Sequence, residues 1–72
     1  MSPERAISIA NGVALEAKWP WIPPVRASVH RRWFVGRRYW VVWTNDGMRG
    51  RNVRVEIDDD TGRVLLKGYL PR

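Results

Sequence analysis

The sequence contains no cysteine. That excludes disulfide bonds, thiolate metal sites and a cysteine nucleophile. Histidine is nearly as scarce, with His30 the single example. A nitrogen-rich zinc site cannot be assembled from it, and a histidine-based triad has one residue to be built around. No run approaches the ~20 apolar residues of a membrane span. The opening residues Met1 to Ala10 lack a basic segment followed by an apolar run, so no secretory signal is read there and a cytoplasmic location is expected. A glycine-rich phosphate loop is also missing. The chain is accordingly expected to be a non-enzyme without cofactor or metal.

Its 72 residues make one domain, residues 1–72, with room for a single core. A chain this short buries only about 60% of the surface its unfolded form exposes, so small domains lean on added devices. With disulfides and metals set aside, tight aromatic packing or self-association remains. Five tryptophans, Trp19, Trp21, Trp33, Trp40 and Trp43, fit the first if buried and the second if exposed. The net charge is +6, from eleven Arg and two Lys against seven acids. Such a balance attracts nucleic acid, an anionic surface or an acidic protein, although an arginine bias also follows from genomic base composition.

Ser2-Pro3-Glu4 reads as a helix start. Ser2 caps free N–H groups, Pro3 suits the first helical position and Glu4 complements the helix dipole. Ala6, Ile9, Ala10, Val13, Ala14 and Ala17 follow at the spacing of one helix face, with Ile7 and Leu15 at its edges. A helix is expected over about 3–18. Gly12 within it costs roughly 1 kcal/mol relative to Ala, and is expected to let the helix approach a sheet closely. Residues 19–24 form a stiff connector, because Pro20, Pro23 and Pro24 remove donors and fix φ.

From Val25 the period changes to two. Val25, Ala27 and Val29 alternate with Arg26, Ser28 and His30 in a first, edge strand. Residues 31–38 read equally as strand or turn. Tyr39 to Trp43 is apolar on both faces, as in a central strand covered on both sides. Asn45-Asp46-Gly47 marks a turn. Val53, Val55 and Ile57 alternate with Asn52, Arg54 and Glu56 in a third strand, residues 58–62 turn, and Val64 to Tyr69 is a fourth. The expected fold is α+β: one N-terminal helix on a three- to four-stranded antiparallel β-meander over 25–70. Val53, Val55, Ile57, Val64 and Leu66 are expected to face the helix.

The segments Tyr39-Trp40-Val41-Val42, Val53 to Asp58 and Thr61 to Leu65, with Ala6 to Ala10 as an A-x-x-I-A opening, resemble two groups. One is the PepSY-type domains, whose last hairpin reads roughly V-x-I-D-x-x-T-G-x-V. The other is the small nuclear-transport-factor-like immunity domains of bacteria. This chain has Gly50-Arg51-Asn52 where the immunity domains often carry Gly-Gly. Both groups bind or inhibit proteins, so the resemblance implies a protein-binding, inhibitory or immunity-type module.

Asp58, Asp59 and Asp60 suggest calcium at first sight. A calcium loop needs a bidentate Glu at position twelve, where this chain has Tyr69, so turn chemistry is preferred. The basic-aromatic run Arg31-Arg32-Trp33-Phe34-Val35-Gly36-Arg37-Arg38-Tyr39-Trp40 is the sharpest candidate site. Arginines neutralise phosphates, and an aromatic face stacks on an unpaired base. Against it, Trp33, Tyr39 and Trp40 supply core area that a small domain needs. Arg49, Arg51 and Arg54 extend the positive surface if the 38–57 hairpin forms. Trp19 and Trp21 on the connector are either an interface or a plug for the open end of the core. The expectation is a protein-binding module for an acidic partner, acting through the sheet or the connector. Nucleic-acid binding is the alternative. A monomer or weak homodimer is expected, with no membrane contact.

Overall fold

The computed structural model describes residues 1–31 and 36–71. Helix α1 spans Pro3–Ala17 and is followed by strands β1 (Arg26–Arg31), β2 (Arg38–Trp43), β3 (Asn52–Asp58) and β4 (Val64–Leu70). The strands form one antiparallel sheet in the order β1-β2-β3-β4. The fold is α+β, with all four expected strands present. Arg32 and Trp33, with Phe34 and Val35, lie outside the described residues.

The helix begins as its sequence dictates. Ser2 is the N-cap, its Oγ accepting the Arg5 N–H at 3.2 Å, with Pro3 in the first turn. It ends where Lys18 turns left-handed (φ 61°) and the Trp19 N–H reaches the Ala14 carbonyl at 2.9 Å. Ala6, Ala10 and Ala14 are fully buried along one line of the helix. Their single methyl groups let the helix lie close on the sheet. Gly12 plays no part in this: it is exposed, and a Cβ there would meet nothing within 4 Å. Leu15 is likewise outside the core, at 70% exposed.

The sheet contributes Trp40, Val42, Val53, Val55 and Ile57 to the core. The register pairs Trp40 with Ile57 and Val42 with Val55, so these side chains share the helix-facing side. Leu66 does not join them and is 47% exposed. A register shift at Glu56/Ile57 sets Val64 opposite Ile57 but Leu66 opposite Glu56. The extra residue moves Leu66 to the other side of the sheet, which strict alternation with Val64 does not anticipate.

The connector closes one end of the core. Trp19 stacks on Tyr69 of β4 (centroids 6.0 Å apart, planes at 18°), and Trp21 packs against the same cluster. Ile22 and Pro24 present their carbonyls to the N–H groups of Asn45 and Asp46, tying the connector to the loop after β2. The tryptophans of this segment therefore serve as a plug.

The triple-aspartate turn is explained by its own hydrogen bonds. Asp58 Oδ2 accepts the Thr61 N–H (2.9 Å) and its Oγ1–H (2.8 Å). These bonds, led by that of the Thr61 N–H, hold the Asp58 carboxyl below its usual range. Asp59 Oδ1 accepts the Trp40 Nε1–H at 2.6 Å, which depresses its pKa in the same way.

Candidate binding face of the sheet

Among the described residues, one helix covers one side of the sheet. The sequence of β2 predicts a strand covered on both sides. It is central, but its second apolar set faces outward, on the side away from α1. Strand alternation puts Arg26, Ser28 and His30 of β1 there, with Tyr39, Val41 and Trp43 of β2 and Arg54 of β3. These side chains line one open depression of about 570 Å³.

The rows across the face follow from the register. Arg26 lies opposite Trp43 on one side and Arg54 lies opposite it on the other. The indole is thus flanked by two guanidinium-bearing side chains. At the far end of β2, His30 lies opposite Tyr39 and the rings stack (5.6 Å between centroids, planes at 27°). The Ser28 hydroxyl is hydrogen-bonded to His30 Nε2 at 2.9 Å, which limits the freedom of the imidazole over Tyr39. Val41 lies between the two aromatic groups and is almost covered, at 7% exposed.

Acidic groups accompany the arginines. Arg26 pairs with Asp46 at 3.4 Å and Arg54 with Glu56 at 3.0 Å. Both arginines are about half or more exposed, so the pairs are surface pairs worth about 0–1 kcal/mol each.

The loop between β2 and β3 forms the rim beside Trp43. Its shape is set by Asn52, which is fully buried. Asn52 Oδ1 accepts the Gly50 N–H, and Nδ2 donates to the carbonyls of Thr44, Asn45 and Met48. The loop holds Asn45, Gly47, Gly50 and Arg51 at positive φ. Arg51, at φ 56°, adopts a conformation that costs a side chain such as arginine about 1–2 kcal/mol. Trp43 borders a second depression with Met48, Arg49 and Leu70. The open face thus continues onto the basic loop.

The residues singled out in the sequence separate. Arg54 is on the open face. Arg49 and Arg51 are exposed on its rim. Arg31 and Arg38 lie opposite each other, but on the helix side of the sheet by alternation with Trp40, and both are exposed. Arg37 pairs with Asp58 at 3.4 Å. Trp40 lies in the core instead, 8% exposed, with its N–H bound to Asp59. Trp19 and Trp21 are half-buried in the plug. Arg26, His30, Tyr39 and Trp43 were missed as a group. Their signal was the outward parity of Arg26-Ser28-His30 combined with the second apolar set of β2.

No family model matches the chain, and no curated protein or solved structure matches it significantly. Among the described residues, no helix is long and apolar enough to cross a membrane.

Proposed function

We propose that this chain is a nucleic-acid-binding module whose contact surface is the open face of its sheet. The observation that carries this is the row Arg26–Trp43–Arg54, an aromatic platform between two arginines on an uncovered sheet. Aromatic rings in a positively charged track are how sheet surfaces hold nucleic acid: arginine meets phosphate and the ring meets a base. The net charge of +6 favours the same partner. The work is binding rather than catalysis. Ser28 and His30 touch, but in an open, solvent-facing depression, and their contact serves the Tyr39 stack.

The test is a titration of the protein with fluorescent oligonucleotides at about 50 and about 200 mM salt, following tryptophan emission as well. Binding is expected to weaken steeply with salt and to quench the emission. The double variant Arg26→Ala, Arg54→Ala is expected to flatten the salt dependence by about 1.4 in log–log slope, at ~0.7 per phosphate contact. No binding at the lower salt refutes the proposal.

A protein partner is the second candidate. It is favoured by one observation: the outer strand β4 exposes Leu65, Leu66 and Leu70 at 41–47%. An edge strand carrying exposed leucines invites pairing with another chain. The likeness of the closing hairpin to PepSY-type and immunity domains supports that partner class as well.

A further inference from the structure

Resting on the nucleic-acid assignment, the geometry of the face also selects the form of the ligand. Tyr39 and Trp43 are four residues apart on one strand and point to the same side. Their Cα atoms are therefore about 13 Å apart, at ~3.3 Å per residue. Both rings are half-buried on the open face, so part of each meets solvent, and stacking on either needs a base with a free face. In a duplex every internal base already has both faces covered by its neighbours. A single strand laid along β2 can give unpaired bases to both platforms. Adjacent strands are about 4.8 Å apart, so Arg26 and Arg54 flank the backbone of a nucleotide on Trp43.

Those two arginines are not idle in the free protein. Asp46 holds Arg26 and Glu56 holds Arg54 in exposed ion pairs. An incoming phosphate competes with a carboxylate at each guanidinium, and pairs this exposed yield readily.

We propose that the open face binds single-stranded nucleic acid along β2, with unpaired bases on Trp43 and on the Tyr39–His30 stack. Asp46 and Glu56 compete with its phosphates for Arg26 and Arg54, so the carboxylates set how tightly the strand is held.

The experiment compares a labelled oligothymidine with a duplex of equal length by fluorescence anisotropy, using the full chain at about 50 mM salt. The single strand is expected to bind at least about ten-fold more tightly than the duplex. Trp43→Ala is expected to weaken single-strand binding by about ten-fold or more, and Trp43→Phe to restore most of it. Glu56→Gln is expected to tighten binding several-fold. Circular dichroism checks the fold of each variant. If Trp43→Ala does not fold, Tyr39→Leu, which keeps apolar bulk but removes the ring, is expected to give the same loss. Equal or tighter binding of the duplex overturns the single-strand assignment and leaves nucleic-acid binding standing. Glu56→Gln without effect, or with weaker binding, overturns the role of the carboxylates. Failure to bind either oligonucleotide, with capture of polyglutamate instead, overturns both this inference and the nucleic-acid assignment.

Discussion

Replacing Asn52 with alanine should damage this fold far more than its place beside a surface loop suggests. The side chain is fully buried. Its Oδ1 accepts the N–H of Gly50 at 2.8 Å, and its Nδ2 donates to the carbonyl of Thr44 at 2.8 Å and to those of Asn45 and Met48 at 3.2 Å. Truncation removes two short bonds, each contributing about 1 kcal/mol net, and strands the buried Gly50 N–H at a cost of about 1–3 kcal/mol. The longer bonds share the same amide and add little. A loss of about 3–5 kcal/mol results. At 0.05–0.15 kcal/mol per residue, a domain of this size holds only about 4–11 kcal/mol in all. At roughly 4–8 °C per kcal/mol, the melting temperature should fall by about 12–40 °C, measured by thermal circular dichroism or calorimetry. Asn52→Asp separates hydrogen bonding from packing. It keeps the acceptor for Gly50 but turns the donor group into a carboxylate oxygen aimed at carbonyls, so near neutral pH it should be at least as harmful as alanine. A fall of less than about 5 °C for Asn52→Ala would refute the assignment of this side chain as the organiser of the loop.

Gly12→Ala should stabilise by about 0.5–1 kcal/mol, because the position is exposed, helical and open to a Cβ; an unchanged or lower melting temperature would contradict this. Arg51→Gly relieves a left-handed arginine and should raise stability by about 1 kcal/mol while weakening oligonucleotide binding, so denaturation and titration should move in opposite directions. Asp58 and Asp59 have folded pKa values below the usual 3.8, so the folded state binds fewer protons than the unfolded one. Their stabilisation is complete above that value and is lost as pH falls through the depressed folded values. Asp58→Asn should lower the melting temperature near neutral pH and flatten its decline in acid.

Much of the fold follows from local chemistry. Ser2 and Pro3 start the helix, the alanine spacing defines its buried line, and the change to a period of two at Val25 announces strands. Asp58, Thr61 and Gly62 close their turn with bonds between near neighbours. Each signal needs only a few consecutive residues, which is why it can be read without the rest of the chain.

The open face depended on contacts between distant segments. In β2 both alternating sets are apolar, Trp40 with Val42 and Tyr39 with Val41 and Trp43. Alternation separates the sets but does not say which one the helix covers. That was decided by pairing with β3, whose Val53, Val55 and Ile57 form the better apolar side and carry Trp40 and Val42 inward with them. The bulge at Glu56/Ile57 then turned Leu66 outward. The amino-acid order by itself determined the elements and the positive charge. Tertiary structure alone decided that Trp40 is core and Trp43 is surface, because burial belongs to the side of the sheet that a single helix covers.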